Sequence, residues 1–399
     1  MKKNGSPSAA RSAAKVAFCE NGAGYGGAII SLEAMLTQLA VRADAPFTPV
    51  LYTSIDTEPY QRLARFGRWR HMPPRPLVSR AALDRRRIPL AGAIENLGNL
   101  LPYALRYYRA FRADGVDLVY LNNDANTNFA AAIGARMAGL PTVLHARGFH
   151  SNNRSDRAVL SWIAHCMPVS NAVRDGLLKV GIDPAKCSVV PEGLDLAQFA
   201  PRTPLPSLRT ELGLAPDDPV ITLVGGLIDW KGQDVLLDAA PQVLARYPRA
   251  RFLLVGSAYG RDNHFAKALA QRAATPELAG RVLLLGGRQD IPELLALSSV
   301  VVHASTLPEP FGRTFLEGMA AARPVIAAAE GGPLDVIEHE RDGLLVAPRD
   351  PALLAGAILR ILDQPEWAAA MARAGGVTAQ RYSIQHHTDA VSAILQRLI

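Results

Sequence analysis

Between Ser305 and Asp335 the chain reads STLPEPFGRTFLEGMAAARPVIAAAEGGPLD, with seven residues separating Glu309 from Glu317. Pro308 and Pro310 flank Glu309, and a residue that precedes proline is pushed out of the helical region, so Glu309 is expected on an extended loop. Gly312 to Ala322 reads as a helix, which sets Glu317 over a turn into it. Its first N–H groups, around Phe311, Gly312, Arg313 and Thr314, then lack acceptors within the helix. They carry the positive end of the helix dipole and favour an anion such as phosphate. Two acids bracketing an anion site suit a sugar nucleotide, with the diphosphate at the helix start, one acid on sugar hydroxyls and the other on the ribose. The competing structural reading is that Glu317 only pairs with Arg313 one turn back, a contact worth a few tenths of a kcal/mol.

Three other stretches carry groups of the same kind. Gly225 to Asp234, GGLIDWKGQD, combines glycines for close approach with Lys231 for charge, a combination suited to a departing diphosphate. Asn21 to Gly27, NGAGYGG, contains Gly22, Gly24 and Gly27 in the G-x-G-x-x-G spacing of a dinucleotide loop. The acid such a loop requires arrives late, as Asp56, which weakens a nicotinamide reading. Pro141 to His150 delivers His145 and Arg147 at the end of an apolar run. A strand-end histidine on its own reads more simply as a capped or core residue.

The elements that must position these groups alternate. Short apolar strands are expected at Lys15–Glu20, Thr48–Ile55, Asp117–Asn122, Val220–Val224, Arg251–Gly256, Val282–Gly287 and Ser299–His303, most of them leading into a loop and a helical pattern. Strands of a parallel sheet deliver functional groups at their carboxyl ends. At 399 residues the chain exceeds what one core usually organises. The pattern therefore implies an α/β protein of two doubly wound, Rossmann-like domains with ligand between them. The expected division is a disordered tail over 1–14, a first domain over 15–195, a proline-rich linker over 196–217, a second domain over 218–380 and a final helix over 381–399.

The stretch PEPFGRTFLEGMAAARPVIA, with GGPLDVIEHERDGLLVAP after it, resembles the E-x7-E region of the retaining glycosyltransferases of the GT-B fold, family 4. The resemblance runs from about Lys15 to the C-terminus and is strongest from Ser170 onward. By this resemblance the first domain binds the acceptor, the second binds the nucleotide sugar, and the final helix crosses back to the first domain. It implies that Glu309 orients the sugar, that Glu317 holds the ribose, and that Lys231-Gly232 match a conserved K-G of the family. It also implies that His145 contacts a sugar hydroxyl, that Gly26 and Gly27 let the backbone approach donor phosphate and acceptor, and that Arg288 and Gln289 pass near the nucleotide base. Gly226 stands where the family has arginine, so one phosphate contact is missing or comes from Arg261 or Arg288. Glu192 replaces the asparagine of P-N-G, and Asp335 replaces a glutamate.

Composition narrows the setting. The chain is 49% hydrophobic and 20% charged, an ordinary globular balance. Cys19, Cys166 and Cys187 are an odd number, far apart and without C-x-x-C, which argues against a disulfide framework or a zinc site and fits a reducing cytosol. Neither a signal peptide nor a membrane-spanning run is expected. Without a D-x-D no catalytic metal is expected, and the only co-substrate called for is the nucleoside-diphosphate sugar. Much of the +7 net charge lies between Arg62 and Arg112, where twelve arginines are interleaved with aromatic residues and opposed locally by Asp84 and Glu95. Such a face can dock on anionic lipid, whereas no nucleic-acid motif accompanies it. The expected acceptor is a lipid-linked or cell-surface glycan, and the expected location is the cytoplasm or the inner face of its membrane. The rival readings are a nicotinamide-dependent oxidoreductase and a sugar-nucleotide-binding protein without turnover.

Overall fold

The computed structural model describes residues 13–22, 26–42, 45–75, 91–150, 154–258 and 263–399. The expected N-terminal tail up to residue 12, Gly24 of the glycine turn, Arg80, Arg85, Arg86, Arg87 and Arg261 lie outside the described residues.

The chain forms two compact units. In the first, Ala14–Glu20 (β1), Phe47–Thr53 (β2), Arg68–His71 (β3), Leu118–Asn123 (β4), Thr142–Ala146 (β5) and His165–Pro168 (β6) make one sheet in the order β3-β2-β1-β4-β5-β6. Every pairing is parallel. In the second, Val220–Val224 (β7), Arg251–Val255 (β8), Val282–Gly286 (β9), Val300–His303 (β10), Val325–Ala328 (β11) and Leu344–Val346 (β12) repeat the plan in the order β12-β11-β10-β7-β8-β9, again all parallel. Parallel sheets covered on both faces need strands apolar on both sides. The sequences LVYLNN, VITLV and VVVH meet that need, and nearly every residue in them is buried.

Both sheets are doubly wound. The first reverses strand order between β1 and β4, and the second between β7 and β10. Loops leaving adjacent strands at such a reversal open a crevice at their carboxyl ends, where ligands of this fold class bind.

Several expectations change. The segment 196–217 carries the helix Pro206–Glu211, and Leu208, Leu212 and Leu214 are buried in a core with Val220, Leu253 and Leu297. It is packed into the second unit, which comprises Ser170–Ala172 and Pro191–His387. Thr388–Ile399 groups with the first unit. Cys166 and Cys187 are neighbours, joined by a parallel bridge beside β6, because a strand can bring distant positions together. Burial pushes the Cys166 thiol up, while the hydrogen bond from Cys166 lowers that of Cys187.

The arginine-rich window is also less free than its sequence implies. Arg62 and Arg65 meet Glu33. Arg68 pairs with Asp114 at 2.9 Å, and Arg70 binds the same carboxylate at 2.5 Å. Tyr107 and Phe111 are core residues, and Trp69 donates to Thr53 Oγ1. Both acids lie outside the window. Among the described residues no helix is long and apolar enough to cross a membrane.

Candidate active site

Lys231 leaves the end of β7 and Glu309 the end of β10, the two strands flanking the reversal of the second sheet. Their loops are tied together, since the Thr306 amide donates to the Trp230 carbonyl at 2.8 Å. Gly232 follows Lys231 in the left-handed region (φ 73°), where a Cβ would stand 1.9 Å from the Ala304 carbonyl oxygen. A side chain there would force the two loops apart.

Glu309 is 8% exposed, and three donors converge on its Oε2: Lys231 Nζ at 2.6 Å, Ser305 Oγ at 2.9 Å and His303 Nε2 at 3.2 Å. Burial alone would raise its pKa, but the His303 hydrogen bond and the charge of Lys231 outweigh it and hold the carboxyl well below the usual range. Glu309 is thus an anion at neutral pH. Among the described residues Oε1 has no partner, so this carboxylate is anchored by one oxygen and presents the other. Lys231 Nζ also lies 4.0 Å from the centre of the Trp230 ring, which confines it further.

The turn after Glu309 is rigid. The Gly332 amide donates to the Glu309 carbonyl at 2.8 Å, and Gly331 (φ 73°) passes so close that a Cβ would lie 2.1 Å from that oxygen. Phe311 is buried against Phe315 and Tyr382. Gly312 caps the helix Arg313–Ala320, which starts with Arg313 and the half-buried Thr314 and so aims its first N–H groups out of the turn.

Glu317 lies one turn on, 9% exposed, with Arg313 Nε 3.9 Å away. Desolvation raises its pKa to about 7, and the Arg313 charge offsets only part of that. Arg313 spends a second donor on the Gly193 carbonyl at 3.2 Å. The pairing of Glu317 with Arg313 exists but is long, so the carboxyl is left under-solvated rather than neutralised.

Other expected residues fare differently. Gly225 and Gly226 accept from the buried Gln233 amide through their carbonyls, at 3.3 and 2.9 Å. Arg288, the expected substitute, is already consumed. Its guanidinium holds Asp290 through Nε at 2.8 Å and Nη2 at 2.6 Å, and Glu211 through Nη1 at 2.8 Å. Two carboxylates hold it here, while Gln289 beside it is exposed.

In the first unit Gly26 is extended at the start of the helix Gly27–Ala40, and a Cβ on Gly26 would meet nothing within 4 Å. His145 is fully buried. Its Nδ1 faces the Tyr120 hydroxyl and its Nε2 lies 3.4 Å from the Val190 carbonyl, so both ring nitrogens are occupied and neither reaches outward. The strand-end histidine is a core residue here. Sequence reasoning missed His303 and Ser305, although His303 ends β10 and Ser305 follows two residues later, the position where such a sheet delivers functional groups. It also missed Glu20, buried at the end of β1, which accepts from the Gly22 amide at 2.8 Å and from the Asn122 side chain.

Residues 218–364 match the family model "Glycosyl transferases group 1", and residues 50–198 match "Glycosyltransferase Family 4". The UDP-Gal:alpha-D-GlcNAc-diphosphoundecaprenol alpha-1,3-galactosyltransferase of Escherichia coli is 30% identical over 273 residues, covering 64% of this chain and 69% of that protein. The chain belongs to glycosyltransferase family 4. The D-inositol 3-phosphate glycosyltransferase of Frankia alni is 36% identical over 205 residues, 49% of this glycosyltransferase and 50% of that protein. The chain spans about half the length of such inositol phosphate relatives. Among solved structures, Anabaena HepE in complex with UDP-glucose superposes with a TM-score of 0.79 at 26% identity, covering 96% of this chain and 100% of that one. The two parallel sheets of this glycosyltransferase are thus those of a GT-B enzyme, and the crevice of its second sheet carries the E-x7-E acids.

Proposed function

We propose that this glycosyltransferase moves a hexose from a nucleoside-diphosphate sugar to a lipid-linked or glycan acceptor in cell-surface polysaccharide or lipopolysaccharide assembly, keeping the anomeric configuration. The observation that carries the reading is the Lys231–Glu309 pair at the strand-order reversal, followed by the buried Glu317 one turn into the next helix. Lys231 and the first N–H groups of Arg313–Ala320 stabilise charge as the diphosphate departs. Glu309 receives sugar hydroxyls on Oε1, and Glu317 receives the ribose.

Among the described residues Glu309 is the only carboxylate within ion-pair distance of Lys231, and its Oε2 is fully engaged. A carboxylate held in this way orients rather than attacks. This favours a same-face displacement in which a phosphate oxygen of the leaving group takes the acceptor proton. His145 acts from within the core, by positioning. The UDP-glucose complex of HepE supports a uridine donor, and the name of the Escherichia coli relative supports a lipid-linked acceptor.

A thermal-shift panel of UDP, GDP, ADP and their sugar conjugates on wild type and Glu317→Ala tests the reading. A ligand at a hundred times its dissociation constant stabilises by about 2.7 kcal/mol. One nucleoside diphosphate should shift the wild type and not Glu317→Ala; equal shifts in both would remove Glu317 from the site.

Peripheral docking of the basic face on anionic lipid belongs to the same proposal. It rests on Arg109 and Arg112, exposed on the helix Ala91–Asp114, because Arg62, Arg65, Arg68 and Arg70 are paired. Wild type should sediment with vesicles containing phosphatidylglycerol, and Arg109→Glu with Arg112→Glu should stay in solution. Unchanged sedimentation would dismiss this face.

A further inference from the structure

At the opposite end of the second sheet, where β10 and β11 begin, a cavity of about 400 Å³ is lined by Ser299, Ala322, Arg323, Pro324 and residues of the helices Pro351–Asp363 and Pro365–Ala379. Its volume is in the range of small-molecule sites. The walls contributed by those helices are apolar: Ile361, Leu362, Pro365, Ala368 and Ala372. Two cations stand among them, Arg323 and Arg373.

Arg323 is the unusual group. It is partly buried, and among the described residues no carboxylate pairs with it. Its Nη1 makes one long contact, 3.5 Å to the Ser298 carbonyl, and its Nε is buried without a partner. Desolvation alone lowers its pKa, with no compensating charge. A guanidinium taken out of water normally finds a carboxylate or several good acceptors, because leaving it unpaired costs several kcal/mol. The carbonyl end of the preceding helix, Arg313–Ala320, offers partial compensation.

That helix ends under strain, with Ala322 in the left-handed region at φ 50° where glycine is usual, so that the Arg323 amide can reach the Gly318 carbonyl at 3.0 Å. The backbone thus holds Arg323 at the cavity wall. Arg373, exposed on the rim, likewise has no carboxylate partner among the described residues.

We propose that this cavity binds an amphiphilic anion, its acid group on Arg323 and Arg373 and its hydrocarbon body along Ile361, Leu362, Ala368 and Ala372. The chemistry is that of a phosphate or carboxylate on an alkyl chain, and it is separate from the donor crevice at the other end of the strands.

The test is isothermal titration of the full chain with decyl phosphate below its critical micelle concentration, beside inorganic phosphate and decanol. Saturable binding of decyl phosphate is expected, at least tenfold tighter than either control. Arg323→Gln and Arg373→Glu should each weaken it at least tenfold. Arg373 is on the surface, so its variant keeps the question answerable if Arg323→Gln fails to fold. The UDP-induced thermal shift of Arg373→Glu should match wild type, which separates this site from the donor reading.

Decyl phosphate that binds no better than decanol would overturn the proposal, since the arginines would then contribute nothing. Inorganic phosphate binding as tightly as decyl phosphate would overturn the role of the apolar wall. An Arg373→Glu variant that titrates like wild type would overturn the placement.

Discussion

Lys231 Nζ lies 2.6 Å from Glu309 Oε2 although 78 positions separate the two residues in the chain. The ion pair joins the loop after β7 to the loop after β10. Lys231→Ala should therefore do two things. Removing one partner leaves the buried Glu309 carboxylate with only Ser305 and His303, at a cost of about 3–5 kcal/mol read by urea unfolding. On the proposed role of Lys231 beside the leaving group, its loss should also lower transfer from a uridine-linked sugar at least hundredfold. Wild-type turnover in a folded Lys231→Ala protein would exclude the lysine from the reaction.

Glu317 yields a pH prediction. Its folded pKa, about 7, is above its ordinary value near 4.5, so the neutral form is the one the fold favours. The stability it contributes is complete below pH 4.5 and is lost as pH rises toward 7, about 3 kcal/mol in all. Glu317→Gln should flatten that slope in unfolding measured between pH 4.5 and 7.5. UDP affinity should run the other way, rising with pH through 7 in wild type as the carboxylate that accepts ribose hydroxyls forms, and staying level in the variant.

Two glycines separate geometry from ligand contact. Gly331→Ala drives a Cβ to 2.1 Å from the Glu309 carbonyl in a left-handed backbone, so it should cost about 2 kcal/mol or more and reduce activity through displacement of Glu309. Gly26→Ala meets open space in extended backbone, so its melting temperature should stay near wild type. If Gly26 admits a ligand to close approach, turnover will fall at unchanged stability; unchanged turnover would make it a plain helix start.

Arg288 tests the opposite expectation. With Asp290 and Glu211 on its guanidinium, Arg288→Ala should change UDP affinity less than threefold. A hundredfold loss would mean that donor binding releases the arginine from both acids.

The local geometry of the Glu309–Glu317 stretch was legible because it is set by neighbours in sequence. Pro308, Pro310 and Gly312 define the Glu309 loop within five residues, and the helix places Glu317 by simple periodicity. The alternation of apolar strands and helices likewise carried the two sheets. What escaped depended on partners distant in sequence. Glu211, 77 positions away, silences Arg288; Tyr120 and Val190 enclose His145; Glu33 and Asp114 take up arginines that look free within their own window. Strand β3, RWRH, was hidden because an edge strand with one packed aromatic and flanking charges carries no apolar run. Strands β11 and β12 are too short for periodicity to mark them.

The one-sided anchoring of Glu309 has a stereochemical consequence. With Oε2 fixed by three donors, the two lone pairs of Oε1 keep fixed directions and cannot swing to follow a misplaced hydroxyl. If a donor sugar sets a hydroxyl on Oε1 as proposed above, two sugars differing at a single carbon stand on unequal terms, because the wrong epimer leaves a buried acceptor unmatched. A hydrogen bond to a charged group is worth about 1.5–3 kcal/mol, so this one carboxylate can separate epimeric donors by about ten- to hundredfold.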